Sequence, residues 1–252
     1  MSDRALAEGC VFSQASTTSV KVGPGLLRVG GTLLASNTDT TLALGTLANS
    51  TQYAIYAYSN AGVRTLEKST DVPEWDAALR YWKKTGDASR RRVGWVRSGA
   101  TGTMIRFTTP PTRMSHEREI WWEYDSAQAS VDWLVIPGSP PAAGTDWNEF
   151  NLAGKVPADA THYALTLFGG DGGSGAGFNF GLSSGNWNTE GSAWAALWQY
   201  GFPATTGGQF NITTPLLALS GLTQYWQLAD QLGTEPPAQF VFGGPQGFAY
   251  EL

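Results

Sequence analysis

The chain has little of what disulfide-stabilised, metal-binding and membrane-spanning proteins depend on. It has one cysteine, Cys10, and two histidines among 252 residues. A single cysteine cannot form a disulfide within the chain, which fits synthesis in a reducing cytoplasm. No run of about 18 apolar residues is present, and the first residues lack the apolar segment of a secretory signal. The sequence therefore predicts a protein that is made in the cytoplasm and does not insert into a membrane.

Charged residues are also scarce, and their signs are unevenly divided. They make up 15% of the chain, against roughly 25% in a typical soluble domain. Residues 1–118 hold 15 of the 16 Lys and Arg residues, whereas residues 119–252 hold 12 of the 21 Asp and Glu residues. Two halves with opposite net charge are typical of two domains with different partners, or of copies that attract each other head to tail.

Glycine and aromatic residues are abundant instead, with 31 Gly, 11 Trp, 11 Phe and 9 Tyr. This composition disfavours helices and favours short strands joined by turns. Strand candidates recur about every ten residues, and two prolines at 110–111 interrupt them. We therefore predict an all-β chain of two β-sandwich, jelly-roll-like domains, at 1–112 and 117–252.

One segment, 74–82, has a helical pattern. Pro73 stands at a possible helix start, acidic residues follow it, and basic residues come at the end. Trp75, Leu79 and Trp82 would share one helical face. The pattern predicts one or two helical turns that cover an open end of the sheet.

The segment 83–97 holds six of the sixteen basic residues. Residues 85–88 have turn chemistry, and alternation follows. The alternation places Arg91, Val93, Trp95 and Arg97 on one face, and Arg90, Arg92, Gly94 and Val96 on the other.

Such a basic segment could bind nucleic acid, or it could be an edge strand whose arginines pair with a neighbour's carboxylates. The acidic chain and the split between faces favour the edge strand. We predict no nucleic-acid binding, and a subunit or partner contact formed by Arg90, Arg91, Arg92, Trp95 and Arg97.

The segment 84–94 resembles a recurring signature of phage tail-fibre and related virion structural proteins. In that family it follows an aromatic strand and a short hairpin, which here resemble 53–58 and 59–62. The resemblance covers about 20–110, and beyond 116 there is only a general likeness to β-sandwich phage modules. The family has no shared catalytic residues, so none is carried over.

The resemblance implies a tail-fibre or receptor-binding component of the virion that assembles as a trimer or higher homo-oligomer. The first domain would join other virion proteins, and the second would face outward towards host surface glycan. A capsid decoration or head-fibre protein is one alternative. A polysaccharide-degrading tail enzyme is another.

The second half offers candidate contact residues. Its tryptophans are too many for one small core, and they could bury at subunit interfaces or stack on sugars. The candidate receptor or glycan contacts are Trp187, Trp194, Trp198 and Asp171. Asp171 lies in a glycine-rich segment, 169–177, which is expected to be a surface loop.

No pattern predicts catalysis, a metal or a cofactor. A glycosidase needs two carboxylates at a fixed separation, and the sequence does not pair any of the candidates. These are Glu119, Glu123, Asp125, Asp132, Asp146 and Glu149. His116 and His162 lack the spacing of a zinc motif, and Asp171 alone is too little for Ca²⁺. We therefore expect a protein that is not an enzyme and has no cofactor.

Overall fold

The computed structural model describes residues 7–110, 117–123, 148–170, 178–183, 198–202, 209–219, 222–230 and 240–251. Within these ranges the chain is all-β, and its regular elements are strands without a helix. The chain divides into two compact units, Met1–Ser130 with Ala249–Leu252, and Val131–Phe248. The prediction of an all-β chain is therefore confirmed.

The first unit contains strands β1 to β13. They are β1 (Ala7–Glu8), β2 (Phe12–Ser16), β3 (Ser19–Val22), β4 (Gly25–Val29), β5 (Thr32–Ser36), β6 (Thr40–Ala43), β7 (Gln52–Asn60), β8 (Val63–Ser69), β9 (Pro73–Asp76), β10 (Tyr81–Lys84), β11 (Asp87–Arg97), β12 (Arg106–Thr108) and β13 (Glu117–Glu123). They form antiparallel sheets in the orders β1-β4-β5, β2-β3-β6 and β8-β7-β11-β10-β9, and β12 pairs with β13.

The largest sheet of this unit is organised by the β7–β8 hairpin. Its two-residue turn, Ala61 and Gly62, has φ values of 49° and 84°. Two positive φ values match the twist of the flanking strands and fix the Asn60 to Val63 register. Four consecutive β7 residues, 54–57, are fully buried. Both faces of this strand are therefore covered, which makes it the core of the unit.

The predicted helix at 74–82 is wrong, because β9 and β10 form a hairpin there. The Asp76 carboxylate accepts hydrogen bonds from the backbone N–H groups of Ala78 at 3.0 Å and Leu79 at 2.9 Å. This local turn competes with the helical hydrogen-bond pattern. Trp75 and Trp82 lie opposite each other across the hairpin. Two tryptophans seven residues apart are compatible with this hairpin and equally with two turns of a helix.

The interpretation of 90–97 as an edge strand is also wrong. Strand β11 is central, with β7 on one side and β10 on the other. The turn predicted at 85–88 is present, since Gly86 has a φ of 76° and the Asp87 carboxylate accepts a hydrogen bond from the Ser89 N–H. The strand thus leaves a surface turn and enters the interior.

The second unit contains β14 to β20. They are β14 (Asn148–Asn151), β15 (Ala160–Gly170), β16 (Phe178–Ser183), β17 (Trp198–Phe202), β18 (Gln209–Thr213), β19 (Leu217–Ala218) and β20 (Thr223–Asp230). One sheet has the order β14-β20-β16-β17, and β15 pairs with β18 and β19. The last strand, β21 (Phe240–Glu251), begins in this unit and ends in the first.

The core of the second unit is built on β15. Tyr163 is fully buried and packs edge-on against Phe150, with ring centres 6.5 Å apart. Gly169 and Gly170 pair with Phe210 and Gln209 of β18. The glycine-rich segment therefore begins inside a strand rather than in a loop, and its remaining residues, 171–177, lie outside the described residues.

Candidate functional site: the arginine and aromatic face of β11

A β-bulge decides which β11 side chains share a face. Arg92 pairs with Tyr56 and Gly94 pairs with Ile55, so Val93 is an extra residue in the strand. One extra residue reverses the alternation beyond it. Arg90, Arg92, Trp95 and Arg97 consequently share one face, and Arg91, Gly94 and Val96 share the other. The simple alternation predicted from the sequence is therefore wrong after Arg92.

Most of the arginines on β11 are buried. The exposed fractions of Arg91, Arg92 and Arg97 are 1%, 0% and 4%, and Trp95 is buried as well. Arg90 is the one partly exposed side chain of the predicted contact set, with 25% of its side chain exposed. The role of these five residues in a subunit contact stays a prediction, and in the single chain it would depend chiefly on Arg90.

The Arg91 side chain extends from β11 towards the turn at Gly30. Its Nη1 donates to the Arg28 carbonyl at 3.1 Å, and its guanidinium carbon is 4.9 Å from the centre of the Tyr81 ring. The Tyr81 hydroxyl donates to the Ala88 carbonyl and accepts from the Gly30 N–H. Burial lowers the pKa of Arg91 to about 10, so this guanidinium remains charged at neutral pH.

Aromatic rings cover the guanidinium groups on the opposite face. The guanidinium carbon of Arg92 lies 4.5 Å from the Tyr250 ring centre and 5.9 Å from that of Trp82. That of Arg97 lies 5.8 Å from the Trp122 ring centre. Desolvated contacts between a cation and a ring contribute about 2 kcal/mol each. Tyr250 belongs to Ala249–Leu252, so the end of the chain completes the first unit.

A further buried arginine, Arg64 on β8, was not predicted. Its guanidinium donates to Thr40 Oγ1, to Cys10 Sγ at 3.2 Å, and to the backbone carbonyls of Val22, Gly23 and Thr38. These contacts tie β8 to the segment around β3. One sequence signal could have indicated this burial. Arg64 lies two residues before the buried Leu66, so the two side chains project from the same face of β8. Cys10 is buried, and desolvation raises the pKa of its thiol.

Towards the solvent, the face of Arg90 and Arg92 continues into a set of alternating charges. We call Glu67, Asp71, Lys84 and Arg90 the charged row. Arg90 Nε lies 3.1 Å from a Glu67 oxygen, and Lys84 Nζ lies 3.4 Å from both Glu67 and Asp71. The Arg90 guanidinium also stacks 4.0 Å from the Tyr58 ring centre. Each charge in the row thus has an opposite neighbour.

Of the four predicted receptor or glycan contacts, only Trp198 is among the described residues. Trp187, Trp194 and Asp171 lie outside those residues. Trp198 begins β17 opposite Leu182, and its side chain lies outside the description. These assignments stay predictions.

Three of the six candidate acids, Glu119, Glu123 and Glu149, are among the described residues. Asp125, Asp132, Asp146 and His116 lie outside the described residues. Glu119 accepts a hydrogen bond from Trp121 Nε1 at 3.0 Å, while Glu123 and Glu149 are exposed on β13 and β14. The His162 ring lies 3.1 Å from Thr161 Oγ1. Trp122 is buried and Trp121 is not, as expected for neighbours on a strand.

Two features are absent from the described part of the chain. That part holds no helix of the length and apolarity needed to cross a bilayer. It also holds no cluster of three or more His, Cys, Asp or Glu residues that could bind a metal ion. In comparisons with known proteins, the chain matches no family model and no curated protein.

Proposed function

We propose that this chain is a structural protein of a bacteriophage virion, a tail-fibre or receptor-binding component. It acts by assembly and attachment rather than by catalysis. Its partners are copies of itself, as a trimer or higher oligomer, other virion proteins and host surface glycan. Its location is the virion, after synthesis in the host cytoplasm.

The observation that carries this proposal is where the phage-like segments lie. The resemblance depends on the aromatic strand at 53–58, the hairpin at 59–62 and the signature at 84–94. They form adjacent strands, because β7 pairs with β8 on one side and β11 on the other. Segments that resemble one module in sequence thus form one continuous core, which supports treating them as a module.

The character of that core supports a structural role. The Arg92 guanidinium lies near the rings of Tyr250 and Trp82, and the Arg91 guanidinium donates to the Arg28 carbonyl. Both side chains therefore tie β11 to other parts of the unit. We also propose the finer architecture on the same grounds. The sheets would pack as two β-sandwich, jelly-roll-like domains, the first for assembly into the particle and the second facing outward.

Location and assembly can be tested directly. Gold-labelled antibody against the purified protein should decorate the tails of phage particles, and the protein should have the solution mass of a trimer or higher oligomer. Label over the head would instead identify a capsid decoration or head-fibre protein. Absence of label from purified particles, combined with a stable monomer, contradicts the virion role.

Attachment and catalysis need separate assays. The protein should bind intact host cells and should compete with the phage for adsorption. Incubation with host exopolysaccharide should release no new reducing ends. Release of such ends would replace the attachment role with that of a polysaccharide-degrading tail enzyme.

A further inference from the structure

The hairpin of β9 and β10 presents an exposed tryptophan held by a second one. Trp75 is 47% exposed. Its ring centre lies 5.8 Å from that of Trp82, with the ring planes inclined at 64°. An edge-to-face contact of this kind restricts the indole and leaves a flat apolar surface towards water. A tryptophan that is exposed and held in one orientation offers this surface to a flat apolar ligand.

The strand register places polar groups beside this surface. Trp75 pairs with Trp82, and Pro73 pairs with Lys84. Paired residues and residues two apart project to the same face, so Trp75, Trp82 and Lys84 share one face. The diagonal between Trp75 and Lys84 is about 7–8 Å at the backbone, which is comparable to the width of one pyranose ring. A ring stacked on Trp75 would therefore place its edge near Lys84.

The charged row offers matched donors and acceptors. It contains two cations and two anions, and its opposite charges lie 3.1 to 3.4 Å apart. A sugar hydroxyl both donates and accepts a hydrogen bond, so it can join the carboxylate and the ammonium of such a pair. The row has no net charge, and it therefore gives no Coulombic preference for a charged ligand. The side chain of Asp71 is 53% exposed and open to a ligand.

We infer that Trp75, Trp82 and the charged row form a shelf that binds a neutral saccharide. The apolar face of one pyranose ring stacks on Trp75 with its hydroxyl edge towards Lys84, and the next sugar of the oligosaccharide reaches Glu67 and Asp71. This shelf lies in the first unit, and its residues are different from the glycan contacts predicted in the second half of the chain. The inference rests on the proposed function only for the source of the sugar, the host surface.

The test uses the full chain and defined oligosaccharides. Neutral tetrasaccharides of glucose, galactose and mannose are titrated, with sialyllactose as an anionic probe and chitotetraose free amine as a cationic one. Saturation-transfer NMR detects binding, and tryptophan fluorescence gives the dissociation constant. At least one neutral probe should bind with a Kd of about 1 mM. Trp75→Ala should weaken it about tenfold or more, and Trp75→Phe less.

Matched variants separate the shelf from general effects. Lys84→Met and Glu67→Ala should each weaken binding about threefold to tenfold, because each removes one hydrogen-bond partner of the sugar. Leu33→Ala removes another large exposed side chain, 51% exposed on β5, and should leave binding unchanged. Reaction of Cys10 with a thiol reagent in urea confirms that each variant retains its fold.

Several results overturn the inference. These are no binding of any neutral probe at about 10 mM, equal binding by Trp75→Ala, or tighter binding of either charged probe. A fall in solution mass of Trp75→Ala without an effect on sugar binding would mean that a second copy covers this tryptophan. None of these outcomes touches the labelling of phage particles, so the shelf can fail while the virion role stands.

Discussion

Tyr250 should stabilise the unit built from the first half of the chain, although about 150 residues separate it from β11. Its side chain is fully buried. Its ring covers the Arg92 guanidinium at 4.5 Å. Its hydroxyl lies 3.5 Å from the Val93 carbonyl, at the bulge. We expect Tyr250→Ala to destabilise the first unit strongly, because it leaves a cavity beside a buried cation.

The magnitude follows from these contacts. Truncating a buried aromatic ring costs about 3–5 kcal/mol, and losing the contact with the guanidinium adds about 1–2 kcal/mol. The total of about 4–7 kcal/mol shifts a urea midpoint by about 2–3.5 M, at a slope of about 2 kcal/mol/M. Tyr250→Phe should cost less than about 1 kcal/mol, because a 3.5 Å hydrogen bond is at the limit of a useful one.

Cys10 gives an assay specific to this unit. It is the only cysteine of the chain, and it is buried in the first unit. Desolvation raises the pKa of its thiol, so the native group reacts slowly at pH 8. The urea concentration at which labelling accelerates therefore reports the opening of this unit. Tyr250→Leu, which keeps part of the packing, should fall between wild type and Tyr250→Ala.

The refuting result is equally specific. A Cys10 labelling midpoint for Tyr250→Ala that corresponds to less than about 0.5 kcal/mol of change would show that the chain end does not complete this unit. A large effect of Tyr250→Phe would instead place the stabilisation in the hydroxyl rather than in the ring. Either result would contradict the contribution of about 1–2 kcal/mol assigned to the contact between the Tyr250 ring and the Arg92 guanidinium.

Three further predictions concern core packing, buried hydrogen bonds and the stability of the fold at acidic pH. Gly94→Ala should cost about 1–3 kcal/mol in urea unfolding, because the new Cβ would lie 2.4 Å from the Phe12 ring. Gly23→Ala, which meets only ordinary contacts, should be nearly neutral. Arg64→Met should cost about 3 kcal/mol or more, since buried carbonyls lose their donor. The pKa of Asp76 is lowered mainly by the Leu79 N–H, and that of Glu74 mainly by Lys83. Because these pKa values are lower in the folded than in the unfolded chain, the two carboxylates stabilise the fold at any pH above their ordinary pKa values of 3.8 and 4.5. This stabilisation is lost as the pH falls below those values. Asp76→Asn should therefore flatten the acid limb of a plot of stability against pH.

Strand positions in the first half could be predicted because local signals agreed there. In β7 and β8 the residue preferences, the alternation and the turn at 61–62 all favour a hairpin. The hairpin of β9 and β10 was missed because its pattern is ambiguous. Two tryptophans seven residues apart satisfy both a helix and a strand pair, and a side-chain turn at Asp76 decides between them.

The burial of Arg92 and Arg97 could not be predicted, since part of their cover comes from distant parts of the sequence. Trp122 and Tyr250 stack on Arg97 and Arg92, and neither ring is near β11 in sequence. Local composition alone therefore makes 90–92 look like a solvated basic patch. Only the pairing of strands far apart in the chain shows that these charges are desolvated.

The bulge at Val93 explains why this burial is possible. With strict alternation, Arg92 and Gly94 would share a face, and so would Arg91 and Trp95. The extra residue instead places Gly94 on the face where the Phe12 ring packs, and Trp95 with Arg97 on the face covered by Trp122. A side chain at position 94 would collide with Phe12. The glycine and the bulge are thus required together, and a sequence with one but not the other should not pack this core.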